Sequence, residues 1–329
     1  MLIHRASLRR RAGARADAAL PQLSPVCRDY SLRWGNGRGN KVQLPTPRPR
    51  ADGKGFLGVH HAHDGIELPM SDVSNAISNQ LRVLKAVTFR EAKARIGLNF
   101  LGVWTEFGRL SVAIAVFSVM RYITSKGIHR GMEIVPFIAT GVLMFWIFRR
   151  TLMLVSTTTL SAERYSFFPQ VTILDLAISR GIVNIVLYVI LSFVAFAVFM
   201  IAGVSQPIYR PAYVAMLLIV SGFYGLFAGI IFNALCTRIR LVRPVLQVAL
   251  RILLMTSGVF FVIPEIPYLF HGFALWNPLL HLNDLMRQEY FGKYKAEMAD
   301  FGYAMEWLFW LVFFALVSER AMRPRVERA

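Results

Sequence analysis

Cysteine is nearly absent, with two residues in 329, Cys27 and Cys236. One lies in a Pro- and Gly-rich N-terminal stretch and the other at the end of an apolar run. Neither a disulfide framework nor a paired-cysteine metal site follows from that spacing. Acidic residues are also scarce: 19 Asp and Glu stand against 37 Lys and Arg, a net charge of +18. Their sparseness within the apolar runs excludes a chain of carboxylates for proton relay, and with it an ion-driven pump. Motifs of self-contained chemistry are missing as well. "GNGRGNK" (Gly35 to Lys41) has glycines and a lysine but neither the spacing of a phosphate loop nor a following helix. The chain itself is therefore not expected to hydrolyse ATP. Neither a G-x-S-x-G elbow nor an H-E-x-x-H zinc motif occurs. No catalytic residue, metal site or directly bound cofactor is expected.

Apolar residues are abundant, at 55% of the chain with a mean hydropathy of +0.48. They are unevenly spread. Residues 1–69 carry twelve Lys and Arg against five Asp and Glu, with many Pro and Gly, and show neither helical nor strand periodicity. "LPTPRPRADGKG" (Leu44 to Gly55) reads as extended and flexible chain. The Arg-rich, acid-poor start superficially suits an organellar transit peptide but lacks the apolar core of a secretory signal. Residues 1–69 thus read as a disordered basic tail, with Met70 as the expected true start. The histidines of "HHAHDG" (His60 to Gly65) lie in this tail, where solvation outweighs a metal-site reading.

Residues 70–100 differ. Leu81, Leu84, Val87 and Phe89 recur at helical spacing, with Arg82, Lys85, Arg90, Lys93 and Arg95 between them. That pattern suits a helix lying on an anionic membrane surface, with a solvated helix as the alternative. From residue 101 to 329 the chain reads as a transmembrane domain. Six apolar segments are expected, at Phe107–Ile123, Ile134–Leu154, Ile182–Val204, Ala212–Cys236, Pro244–Ile263 and Tyr303–Val317. Crossing about 30 Å of hydrocarbon takes roughly 20 such residues.

The basic residues sit at segment ends, not along one face with interleaved aromatics, so a nucleic-acid partner is not expected. Arg149, Arg150, Arg164 and Arg180 follow the second segment, and Arg238, Arg240 and Arg243 follow the fourth. Arg320, Arg323, Arg325 and Arg328 end the chain. The other loops are poorer in cations or balanced by Glu265, Asp284, Glu289, Glu297 and Asp300. Both termini are therefore expected in the cytoplasm. Arg251 lies two turns into the fifth segment, where it either snorkels to the interface or faces a dimer interface or aqueous path. Phe145, Trp146, Phe260 and Phe261 could stack on sugar rings, although lipid packing explains membrane aromatics equally.

Between the fifth and sixth segments, "YLFHGFALW" (Tyr268 to Trp276) is too short to cross and too apolar for an open loop. Pro264 and Pro267 break the chain before it, and Trp276-Asn277-Pro278 breaks it again. Such a segment can dip into a membrane and return where its backbone is covered or faces water.

Several stretches, in order, resemble the type-2 ABC transporter permeases, above all those of capsular polysaccharide export. They are "FREAKARIGLNFLGVWTE" (Phe89 to Glu106), "IVPFIATGVLMFWIFR" (Ile134 to Arg149), "LSAERYSFFPQVTILDLAISR" (Leu160 to Arg180), "SGVFFVIPEIPYLF" (Ser257 to Phe270) and "WNPLLHLNDLMRQEYF" (Trp276 to Phe291). The resemblance spans about Leu81 to Arg325. It implies an all-α integral membrane protein of the bacterial inner membrane. Six transmembrane helices would carry an N-terminal amphipathic interfacial helix and periplasmic re-entrant helices between helices 5 and 6.

It further implies a homodimer, with two copies of a separate ATPase subunit using ATP and Mg. The bilayer, a polysaccharide substrate, and periplasmic and outer-membrane export partners complete the system. The coupling helix would map to Ser161–Leu174, with Glu163, Arg164, Phe168, Pro169 and Gln170 as contacts and Asp175 following. Substrate-path candidates are Phe145, Trp146, Arg251, Phe260, Phe261, Trp276, His281, Asp284 and Arg287. The last three, with Asn283, are expected as the polar rim of an exit, flanked by Trp276 and Tyr290 at the interface. O-antigen, teichoic-acid-like polymers or a hydrophobic drug are alternative substrates. A membrane-embedded glycosyl- or acyltransferase is an alternative class, for which only His281 with Asp284 offers a catalytic pair. A scaffold without transport activity is a third.

Overall fold

The computed structural model describes residues 70–96, 100–125, 131–161 and 172–326, all within one unit, Glu67–Ala329. The N-terminal tail and the coupling contacts Glu163, Arg164, Phe168, Pro169 and Gln170 lie outside the described residues. Regular structure among those residues is helical. The helices are α1 (Met70–Ile96), α2 (Phe100–Ser125), α3 (Ile134–Val155), the single turn α4 (Thr158–Ser161), α5 (Ile173–Ile201), α6 (Pro211–Arg238), α7 (Val242–Thr256), α8 (Tyr268–Ala274), α9 (Pro278–Phe291) and α10 (Phe301–Val326).

Parts of α2, α3, α5, α6 and α10 are long and apolar enough to cross a bilayer: Gly102–Ile123, Ile134–Val155, Ile173–Ile201, Pro211–Arg238 and Phe301–Met322. The fifth segment expected from sequence, Pro244–Ile263, is not among them. Its helix α7 has 15 residues, about 22 Å at 1.5 Å per residue, short of the hydrocarbon thickness. The backbone leaves the helix at Ser257, turns at Gly258 with φ of 71°, and forms a 3-10 turn at Ile263–Glu265. Ser257–Val262 is as apolar as the helix before it, so hydropathy alone runs the two together.

Helix α3 lies at the centre, with Phe137, Ile138, Val142, Leu143, Phe145, Ile147 and Leu152 fully buried. Its closest partner is α6, and small residues set the approach. Ser221, Gly225 and Gly229 recur every four residues and turn one stripe of α6 toward α3. Ser221 Oγ donates to Met144 O at 2.9 Å. A Cβ on Gly225 would strike Phe148 O, and one on Gly229 would lie 2.7 Å from Val155 Cβ. Without a hydrophobic drive between helices in lipid, such backbone proximity supplies van der Waals attraction. On the outside, α2 exposes Val112, Val116, Val119 and Ile123, and α10 exposes Phe309, Phe313, Phe314 and Val317. These faces suit acyl chains.

Helix ends follow local chemistry. Thr172 caps α5 reciprocally with Asp175, each side chain bonding the other's backbone N–H. Pro211 opens α6 and Pro278 opens α9 at the position where a missing N–H costs nothing. Gly292, at φ of 66°, ends α9 in the left-handed conformation.

Candidate functional site

Trp146, Arg149, Arg150 and Met153, from the last turns of α3, face Gln247, Leu250 and Arg251 of α7 across a cavity of about 370 Å³. The four-residue spacing of Leu246, Leu250 and Leu254 buries one stripe of α7. The rotation this imposes leaves Arg251 open on the cavity wall. The guanidinium carbons of Arg149 and Arg150 lie 5.6 and 5.9 Å from the centre of the Trp146 ring, within cation–π range. Glu106 of α2 partly compensates this charge: Oε2 accepts from Arg150 at 2.8 Å and from Tyr188 at 2.9 Å, and Oε1 accepts from Arg109 at 2.9 Å. Two guanidiniums beside one aromatic face, with a third on the α7 side of the cavity, make a wall suited to an anionic or ring-bearing ligand. Sequence reading found Trp146 and Arg251 but took Arg149 and Arg150 only as topology anchors. Their position three and four residues after Trp146 was the available signal.

A second polar assembly lies at the break after α7. Arg287 is completely buried. Its guanidinium donates to Phe261 O at 2.7 Å, Gly258 O at 2.5 Å and Val259 O at 3.0 Å, and stacks 3.9 Å from the Phe137 ring centre. Asn283 Nδ2 donates to Ser257 O at 2.6 Å, and Asn277 Nδ2 to Thr256 O at 3.3 Å. These are carbonyls freed where α7 ends. Irregular backbone at membrane depth persists only where protein or water satisfies it, and α9 supplies that satisfaction here.

Asp284 accepts from Tyr294 Oη at 2.8 and 3.0 Å. His281 Nδ1 accepts from Asp300 N–H at 3.1 Å, which leaves Nε2–H to donate to Leu275 O at 2.8 Å. His281, Asn283, Asp284 and Arg287, expected on an exit rim, are all buried here and bonded to backbone or tyrosine. Tyr290, expected at the interface, is buried too, with its hydroxyl 2.6 Å from Ser205 Oγ. Trp276 is 68% exposed and meets Trp307 edge-on at 5.8 Å. Phe260 packs edge-on against Phe117 at 4.9 Å, Phe261 is half-buried and lends its carbonyl to Arg287, and Phe145 sits in the core.

The segment 162–171 lies outside the described residues; the described residues on either side of it are tied to other helices. Before it, Thr159 exchanges two bonds with Asn233 of α6: its N–H donates to Oδ1 at 3.1 Å, and Asn233 Nδ2 donates to Thr159 Oγ1 at 2.9 Å. After it, Asp175 is 5% exposed. Its Oδ2 accepts from Thr172 while Oδ1 accepts from Gln80 of α1 at 2.8 Å. Asp175, grouped with the coupling contacts from sequence, therefore faces inward. Asn233 and Gln80 went unnoticed in the sequence, because partners 74 and 95 residues away leave no local pattern.

Five long apolar helices, the buried α3 among them, together with two polar clusters define a polytopic α-helical membrane protein. The model of the ABC-2 type transporter family matches residues 82–291. The chain belongs to that family, and the match runs from α1 through α9. Among curated proteins it is similar to the capsule polysaccharide export inner-membrane protein CtrC of Neisseria meningitidis serogroup B. The two are 22% identical over 218 residues, covering 66% of this chain and 82% of that protein. It is likewise similar to the capsule polysaccharide export inner-membrane protein BexB of Haemophilus influenzae, 21% identical over 218 residues with the same coverage.

Proposed function

We propose that this chain is the inner-membrane permease subunit of an exporter that moves a capsule-type surface polysaccharide. The observation that carries the reading is the likeness to two capsule polysaccharide export proteins over two-thirds of the chain, within an ABC-2 membrane domain. Two copies of the chain form the pathway, and two copies of a separate ATPase dock on the cytoplasmic side through Glu163, Arg164, Phe168, Pro169 and Gln170. Both termini face the cytoplasm. Periplasmic and outer-membrane partners take the glycan onward.

The chain's own residues bind and orient; they make and break no bonds. The Trp146–Arg251 cavity is the proposed first contact, where the aromatic face stacks on sugar C–H and Arg149, Arg150 and Arg251 attract acidic groups. Phe260, Phe261 and Trp276 continue the path. His281, Asp284 and Arg287 act from behind it by fixing the corner after α7. Among the described residues, the lining of this cavity is Trp146, Arg149, Arg150, Met153, Gln247, Leu250 and Arg251, a set that favours holding an anionic ligand over transferring a group.

The test is substitution of Phe168 and Pro169 by Asp and Ala, with ATPase co-purification and surface glycan both measured. Both are expected to fall together while the chain still reaches the membrane. Undiminished ATPase retention with full export removes the docking assignment.

A further inference from the structure

Helices α6 and α7 are joined by a short corner, Ile239 to Leu241, and a cleft of about 390 Å³ lies between them. Every side chain lining it is apolar, among them Phe232 and Leu235 of α6, Leu241 at the corner, and Val245 and Ala249 of α7. Leu235, Leu241 and Val245 are exposed. Phe232 lies seven residues before Ile239, and Ala249 seven after Val242. At 1.5 Å per residue the cleft therefore runs about 10 Å along both helices.

The mouth has the opposite character. Arg238, Arg240 and Arg243 interleave with Ile239, Leu241 and Val242 of the lining, and all three arginines are exposed. From 211 to 264 the chain holds no Asp or Glu. Among the described residues these guanidiniums make one hydrogen bond, from Arg238 to the Ala321 carbonyl at 3.4 Å, and no ion pair. Basic residues at a helix end serve topology. That explains the sign of the charge but not an apolar cleft that ends at it.

An occupant must match both parts. An irregular peptide would leave its N–H and C=O groups unpaired, because no lining side chain donates or accepts. A helix, about 10–12 Å across, is too wide for the space. An acyl chain needs no hydrogen bonds, and a phosphate at its end meets guanidiniums that lack an anion. Basic pockets between membrane helices take acidic headgroups in this way.

We propose that the α6–α7 cleft binds an acidic phospholipid of the bilayer. One acyl chain lies between Leu235 and Val245, and the headgroup phosphate sits on Arg238, Arg240 and Arg243. Helix α7 is the shared wall of two spaces, with Val245 lining the lipid cleft and Gln247 the Trp146–Arg251 cavity. Two residues apart, they point to nearly opposite faces of the helix. The lipid thus supports the short α7 from behind the cavity, whatever the permease exports.

The experiment takes the full chain, purified in detergent from cells unable to make surface glycan, and reads native mass spectra and thermal melting. The probes are phosphatidylglycerol and phosphatidylcholine with identical acyl chains. Phosphatidylglycerol is expected to co-purify and to raise the melting temperature by a few degrees, and phosphatidylcholine to do neither. An arginine near an acidic lipid contributes about fivefold in affinity. Arg240→Gln with Arg243→Gln is therefore expected to weaken phosphatidylglycerol binding about 25-fold, while lipid-free melting stays unchanged. Ala249→Phe fills the cleft, keeps all three arginines, and is expected to lose the lipid too.

Equal responses to the two lipids would reduce the cleft to an ordinary lipid contact and overturn the site. Undiminished affinity in the arginine variant overturns it as well, and that variant decides alone if Ala249→Phe does not fold. Phospholipid bound only in protein from glycan-making cells would assign the cleft to the glycan's own anchor. A dimer lost in Ala249→Phe with lipid affinity intact would assign it to a second copy of the chain. Either result ends the proposal.

Discussion

Arg287 shows how one side chain can decide whether a broken helix is tolerated. Its planar fork reaches three carbonyls of the Gly258–Phe261 turn while its flat face rests on Phe137. An unsatisfied buried carbonyl costs about 1–3 kcal/mol. Arg287→Met should therefore lower stability by at least about 3 kcal/mol, read as a lower melting temperature in detergent. Arg287→Lys keeps the charge as a compact point on a flexible stem, so it should recover only part of that loss. Equal melting of all three proteins would refute the clamp. Arg251 differs because it is exposed on a cavity wall and holds up no backbone. Arg251→Gln should leave melting unchanged and reduce export of an acidic glycan several-fold. A stability loss there would move Arg251 from the pathway into the framework.

At the scale of elements, packing between α3 and α6 depends on glycine. Gly225→Ala places a methyl against the Phe148 carbonyl, and overpacking of this kind costs about 1–3 kcal/mol. Gly272→Ala in α8 meets nothing within 4 Å and should stay within about 0.5 kcal/mol of the parent. Denaturant titration of folded protein in micelles separates the two, and indistinguishable curves would contradict the close approach.

The crossing helices were legible because apolar runs of bilayer length are a strong one-dimensional signal. The shortening of α7 was not, since Ser257–Val262 stays apolar and hydropathy carries no information on backbone conformation. The burial of Asp284 and Arg287 was not legible either. A charged residue between two apolar segments reads as solvent-facing unless its partners are known, and main-chain carbonyls leave no mark in a sequence. The same holds for the bond from Gln80 of α1 to Asp175 of α5, whose partners stand 95 residues apart.

At the scale of the whole molecule, a buried central α3 is ringed by helices with apolar outer faces, and its polar groups collect at two levels. One level gathers α1, α5, the end of α3 and the Trp146–Arg251 cavity; the other gathers the α7 break, α9 and the start of α10. Bodies of this kind convert between discrete arrangements of packed helices. The central claim, that it exports a capsule-type polysaccharide, is tested most directly by deleting the chain and staining the cell surface for glycan. Deletion should remove surface polysaccharide while the glycan accumulates inside the cell, and the intact chain should restore it. Surface polysaccharide unchanged on deletion, with a lipid or protein modification lost instead, would contradict the account.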